Sequence, residues 1–145
     1  MTPQQKILVQ QSFGAVAPIA EAAAALFYGR LFELDPSLRP LFHGDLATQG
    51  RHLMAALAVA VRGLDDLPTL VPAVRALGRR HAAYGVRDEH YATVGEALLW
   101  TLEQGLGDRF TPEVRAAWAA VYDLLSATMR DAAAQEGGAS RSVAA

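Results

Sequence analysis

Cysteine is missing altogether from this 145-residue chain. Its absence excludes disulfides, thiolate metal sites, iron–sulfur clusters, thiol nucleophiles and any cofactor attached through thioether links. Concentrated positive charge is missing too. No basic run is longer than Arg79-Arg80, and 15 acidic against 13 basic residues leave a net charge of -2. That balance argues against nucleic acid as the main partner. Long apolar runs are also lacking: the longest, Leu53 to Val61, is about half the roughly 20 residues a membrane helix needs. The opening Met1-Thr2-Pro3-Gln4-Gln5-Lys6 is polar and unlike a targeting leader. No membrane partner and a cytoplasmic location are therefore expected. With 52% hydrophobic and 19% charged residues, the chain is too apolar to be disordered and long enough for one real core. Its reactive groups must be His, Tyr, carboxylate or a bound cofactor.

What is present is helical periodicity with strong punctuation. Thr2-Pro3 with Gln5 reads as a capping box opening a helix to about Val16. Pro18 opens a second helix through about Leu34, and Asp35-Pro36 starts a short helical turn ending at Phe42. His43-Gly44-Asp45 forms a corner. The stripe Leu46, Gln49, Leu53, Ala56 and Ala60 then predicts a helix closed by Gly63. Asp66-Leu67-Pro68 begins the next, with Leu70, Val74, Leu77 and His81 on its inner side. After Gly85, Asp88 is read as the cap of a helix to about Leu106, with Tyr91, Val94, Leu98 and Leu102 inward. Thr111-Pro112-Glu113 opens the last, with Val114, Trp118, Val121 and Leu125 facing in. The spacing thus predicts an all-α fold of about seven helices of unequal length joined by short corners, not a regular four-helix bundle. It forms one domain over residues 1–134, followed by a flexible tail at 135–145 whose Gly137-Gly138-Ala139-Ser140 stretch is poor in apolar residues.

His81 stands out among the polar residues. It ends an apolar stripe with spacings of four, three and four, just before a helix-breaking glycine. Such an imidazole is either a core histidine satisfied by a backbone carbonyl or a ligand offered by its second nitrogen. Tyr28 and Gln49 are open in the same way, as packing and surface residues or as donors into a pocket. No phosphate loop or zinc-like histidine pairing occurs, and acidic pairs such as Asp65-Asp66 sit at helix starts, where capping explains them.

Several blocks occur in an order that resembles the globin family, in particular bacterial single-domain haemoglobins, the globin domain of flavohaemoglobins, and neuroglobin. They are Leu26-Phe27-Tyr28-Gly29-Arg30-Leu31-Phe32, Asp35-Pro36, Leu41-Phe42, Leu77-Gly78-Arg79-Arg80-His81, His90-Tyr91-Ala92-Thr93-Val94 and Phe110-Thr111-Pro112 with Trp118 and Tyr122. The resemblance spans about Pro3 to Arg130 and implies a globin fold sandwiching one haem. His81 would be the proximal ligand to the iron of a non-covalent haem b. Phe42, Leu53, Tyr91, Val94 and Leu98 would line the cofactor, whose mostly apolar surface must leave water. Tyr28 and Gln49 would be the distal residues that donate hydrogen bonds to a bound dioxygen, whose outer atom gathers negative charge. His52 and His43 are expected near the haem edge as propionate or surface residues, and His90 is expected to face away from the core.

The implied function is reversible binding of dioxygen, and of NO and CO, with high affinity and slow release, for transport or scavenging. Conversion of NO to nitrate by an NO dioxygenase is the enzymatic alternative, and a gas sensor or nitrite reductase is a third. Flavohaemoglobins carry a glutamate near the end of the last helix, where this sequence has Ala133. The chain also stops where their reductase domain would begin, so an external reductase is the expected electron source. A monomer or weak homodimer is expected.

Overall fold

At the start of the first helix, α1 (Pro3–Val16), the Thr2 hydroxyl accepts the Gln5 backbone N–H, and the Gln5 side chain accepts the Thr2 N–H. The box satisfies two of the donors a helix start leaves unpaired. A computed structural model describes the backbone apart from His43 and Ala145, and the side chains of residues 1–135 apart from His43. From α1 the chain passes through a 3₁₀ turn, Ala17–Ile19, into α2 (Ala20–Leu34) and a 3₁₀ segment, Pro36–Leu41. Next come α3 (Leu46–Gly63), α4 (Leu67–Ala83) and α5 (Asp88–Leu106). A 3₁₀ turn, Gly107–Arg109, leads to α6 (Pro112–Ala144). Among the described residues, then, the expected seven or so helices resolve into six α-helices and three 3₁₀ segments, with no strand.

Three details depart from expectation. Pro18 does not separate the first two helices sharply, because the 3₁₀ turn carries the helical path onward. The result is a nearly continuous 32-residue span, Pro3–Leu34, with a window of mean hydropathy 1.3. By length and composition alone that span could cross a membrane. Its Phe13, Val16, Ala23, Phe27 and Leu31 are nevertheless buried in the core. Second, Arg87 and not Asp88 caps α5, and Asp88 is the first helical residue, where a carboxylate still suits the helix dipole. Third, the inner stripe of α3 holds at Leu46, Leu53 and Ala60 but not at Ala56. Ala56 is exposed while Met54 and Leu57 pack against the core. The expected tail at 135–145 lies, except for Gln135, outside the described side chains. Gln135 itself accepts a hydrogen bond from Arg75 of α4.

The main helix pairs are α4 with α6, α2 with α5, α1 with α6 and α2 with α3. Helices α1 and α6 meet through Phe13 and Trp118, and the buried Trp118 indole N–H donates to Ser12 Oγ at 2.8 Å. The same hydroxyl donates to the Leu8 carbonyl at 2.7 Å, so Ser12 both accepts and donates inside the core. Ser12→Ala would strand the indole N–H, since an alanine methyl cannot accept. A loss of about 1–3 kcal/mol in chemical denaturation is expected. A loss below about 0.5 kcal/mol would show that the N–H finds another partner.

Helices α2 and α3 approach closely where Gly50 faces Ala24: a methyl built on Gly50 would lie 2.8 Å from the Ala24 methyl. Helices α4 and α6 make the most extensive pair. There Gly78 lies directly against the Met129 backbone, with 2.6 Å between a built methyl and Met129 Cα. These contacts fix α3 and α4, the two helices that carry Gln49 and His81.

Candidate functional site

Helix α4 presents His81 near its C-terminus, half-buried, with Leu70 and Val74 of the same stripe buried behind it. Its Nδ1 lies 2.9 Å from the Leu77 carbonyl one turn back. A carbonyl only accepts, so Nδ1 carries the proton and Nε2 keeps its lone pair. Burial holds the imidazole pKa below its ordinary value of 6.5; the bond to Leu77 opposes this, and the neighbouring Arg80 charge adds to it. A neutral ring with one nitrogen anchored and the other free is what a metal ligand requires. The chain then turns at Gly85, whose φ of +94° lies in the left-handed region that glycine tolerates. The Val86 N–H returns to the His81 carbonyl at 3.0 Å. Leu41 packs against this corner, 3.5 Å from a methyl built on Gly85. The 3₁₀ segment ending beside Phe42 is thus brought to the corner that follows His81.

On the other helices, Tyr28 is buried in an aromatic cluster. Its ring meets Phe42 edge-on at 5.3 Å and Phe27 at 5.2 Å, and stacks on Phe32 at 6.1 Å. Burial alone pushes the phenol up to about 12, so it remains a proton donor at every physiological pH. Gln49 is half-buried on α3, beside the glycine that lets α3 settle against α2. A methyl on that glycine would lie 3.9 Å from the Tyr28 ring. Leu53 is half-buried one turn on; with Phe42, Val94 and the buried Leu98 it packs on the cluster of buried residues that includes Tyr28. Phe42, Leu53, Val94 and Leu98 thus share one core with Tyr28, and Gln49 lies on α3 beside Gly50.

Tyr91 is buried but lies outside that cluster. Its carbonyl accepts the Tyr122 hydroxyl at 2.6 Å, and the Arg130 guanidinium sits 6.0 Å from its ring centre. Burial raises both phenols; the Asp88 charge adds to the effect at Tyr91, and that of Arg130 opposes it. His52 is exposed, and His43 lies outside the described residues. His90 overturns its expectation: it is buried, and its Nδ1 accepts the Arg87 N–H at 3.0 Å. At the third position of α5 it reaches back to a backbone donor that the helix cannot satisfy, so it turns inward. Gly50 and Gly78 were not singled out for packing in the sequence. The available signal was glycine within a helical pattern, which costs about 1 kcal/mol against alanine and so implies a close approach.

No group of three or more His, Cys, Asp or Glu able to hold a bare metal ion exists among the described residues. The donor set fits an apolar macrocycle whose metal takes one histidine: the imidazole of His81 is anchored through Nδ1 and keeps the Nε2 lone pair, and the core offers apolar side chains. An all-helical, non-bundle packing with such a site defines a haem protein of the globin type.

Comparison with known proteins agrees. The family model for Globin matches residues 25–129. A flavohemoprotein of Bordetella parapertussis is 36% identical over 129 residues, covering 87% of this chain. The chain spans only 32% of that relative's length. Neuroglobin of Chaenocephalus aceratus is 32% identical over 151 residues, covering 94% of this chain and 95% of its own. Among solved structures, an engineered carbene transferase derived from a candidate nitric oxide dioxygenase of Rhodothermus marinus superposes with a TM-score of 0.86. It is 30% identical, with 96% of this chain and 97% of that one covered. A hexacoordinated heme protein from an anhydrobiotic tardigrade shares the fold, with a TM-score of 0.84 at 16% identity and 92% and 95% of the two chains covered. The chain belongs to the globin family. Haem binding and the uptake of small gas molecules come with that membership.

Proposed function

We propose that the protein holds one non-covalent haem b through His81 and binds dioxygen reversibly, and NO and CO as well, with slow release of dioxygen. Haem, when bound, supplies an iron that takes up one diatomic molecule. The chain supplies the rest. His81 offers Nε2 while Leu77 holds its other nitrogen. Phe42, Leu53, Val94 and Leu98 exclude water from the macrocycle. Tyr28 and Gln49 offer donors to the negative charge that gathers on bound dioxygen.

The observation that carries this reading is Tyr28, a buried phenol with its proton retained, placed beside Phe42 and the α2–α3 crossing. A hydrogen bond to a charged group is worth about 1.5–3 kcal/mol, which corresponds to roughly ten- to a hundredfold in dissociation rate. Tyr28→Phe is therefore expected to speed dioxygen release by about tenfold or more in stopped-flow measurements. An unchanged rate would assign the stabilisation to Gln49 or water.

A second reading is NO dioxygenation, favoured by the flavohemoprotein relatives and by the candidate nitric oxide dioxygenase neighbour. It requires electrons from a reductase. Steady NADH-driven NO consumption with an added reductase supports turnover; a single stoichiometric reaction supports the binding role.

A further inference from the structure

The corner between α4 and α5 is tied down at both ends. On the α4 side, the Tyr84 N–H donates to the Arg80 and His81 carbonyls, the Gly85 N–H to Ala82, and the Val86 N–H to His81. On the α5 side, Arg87 and His90 exchange two bonds. The His90 N–H donates to the Arg87 carbonyl at 3.0 Å, and the Arg87 N–H donates to His90 Nδ1 at 3.0 Å. The second bond differs from the others, because its acceptor is an imidazole nitrogen that can take up a proton. To accept, Nδ1 must keep its lone pair, so the ring is neutral and carries its hydrogen on Nε2.

A protonated imidazole has hydrogen on both nitrogens and accepts nothing. It would set one N–H against another at the start of α5. Histidine is the side chain that gains a proton in mildly acid solution. The charge that faces it from another element is Asp35, at the C-terminal end of α2, on which both His90 and Arg87 act. On its own helix Asp88 and Glu89 precede it, and Glu89 is paired with Arg87 at 3.2 Å. The N–H and hydroxyl of Ser37 both donate to Asp35 Oδ1, at 3.0 and 2.6 Å, and no hydrogen bond to Oδ2 occurs among the described residues. The Ser37 hydroxyl foremost holds the Asp35 carboxyl below its ordinary range, against slight desolvation. Asp35 is therefore ionised wherever a histidine takes up its proton.

We propose that His90 is a positioning residue for the corner that follows His81: neutral, it holds the Arg87 N–H and closes the corner; protonated in mild acid, it lets go and turns towards Asp35. The effect reaches the proximal side, because the His81 carbonyl anchors the same corner at its other end. The bond to Arg87 belongs to the chain alone, whereas its bearing on haem rests on the reading of His81 above.

The test follows the Arg87 amide by NMR in the haem-loaded, CO-bound protein from about pH 8 to about pH 5. The amide resonance is expected to move with the same midpoint as the His90 ring resonances. Its exchange protection should fall by about fivefold or more, the scale of a lost helix cap. His90→Gln keeps an acceptor at the third helical position, where glutamine serves in capping boxes, but cannot titrate. In that variant the Arg87 amide should stay still. Acidification should quicken haem loss to an apoglobin scavenger by about threefold more in the parent than in His90→Gln. Should the glutamine disturb folding, Asp35→Asn keeps an acceptor for the Ser37 N–H and removes the charge, and the midpoint is then expected at lower pH. An Arg87 amide that stays still in the parent, or moves alike in parent and His90→Gln, overturns the proposal. Where only Asp35→Asn folds, an unmoved midpoint overturns it. Equal quickening of haem loss in the two proteins overturns the link to His81. If the chain takes up no haem, the reading of His81 falls, and the amide titration of the haem-free protein still decides the role of His90.

Discussion

His81→Gly is expected to shed haem at least a hundredfold faster than the parent, measured by transfer to an excess of an apoglobin scavenger. The size follows from comparison with lesser changes. Removing a group that merely orients a metal ligand typically costs about 10–100-fold in metal affinity, and here the ligand itself is lost. Folding of the haem-free protein should barely change, because His81 is only half-buried and its one hydrogen bond is local, to Leu77. That bond contributes about 0.5–1.5 kcal/mol. Added imidazole should restore the absorption spectrum by filling the vacated space, which a general loss of folding would not permit. Retention of haem with an unchanged Soret band would overturn the assignment.

The same side chain gives the apoprotein a pH dependence. Burial lowers the His81 pKa from 6.5, so the folded state binds the proton less readily than the unfolded one. The associated stability is fully present above pH 6.5 and is lost as the pH falls through the lower folded-state value. His81→Gly should flatten that part of the profile.

The second large effect concerns a residue with no side chain. Gly78→Ala would place a methyl 2.6 Å from Met129 Cα and 2.8 Å from its carbonyl carbon. These are backbone atoms and cannot rotate aside, so α4 and α6 would have to separate along the most extensive helix pair in the molecule. Overpacking of this kind costs about 1–3 kcal/mol, occasionally more. At this chain length that is a fall of roughly 4–12 °C in melting temperature. His81 lies three residues further along the same helix, so haem loss should quicken as well. Gly14→Ala is the control: it lies on the exposed side of α1 with nothing within 4 Å, and should stabilise by about 0.5–1 kcal/mol. If both variants melt alike, the close approach at Gly78 carries no energetic weight.

Much of this was legible in the chain because its helix starts are chemically explicit. Thr2, Asp35 and Asp45 all cap as short polar side chains do, with Asp45 accepting from the Ala47 and Thr48 N–H groups. The stripe ending at His81 was equally plain, since helical spacing alone puts it beside Leu70 and Val74. What escaped was a local capping bond that periodicity does not count, and whatever depends on a second element. His90 was misplaced because periodicity counts faces and cannot see a backbone donor at Arg87 waiting for an acceptor. In α3 it is Leu57, not Ala56, that packs against the core, a one-residue difference that only the contacts with other helices decide. The Trp118–Ser12 bond joins residues 106 positions apart, and no local pattern announces it. Tyr28, Phe42 and Gln49 became a site only by resemblance. Their residue types are as common in packing as in chemistry, and the aromatic cluster that binds Tyr28 to Phe42 is a product of folding.

The indole of Trp118 is buried in the core, while the other tryptophan, Trp100, is half-buried, with the Arg30 guanidinium 5.3 Å from its ring centre. The two therefore differ as light emitters. A buried indole in apolar surroundings emits at shorter wavelength than a partly hydrated one, and dioxygen quenches indole emission on collision. In haem-free protein, the molecule thus contains its own optical gauge of gas that reaches the core.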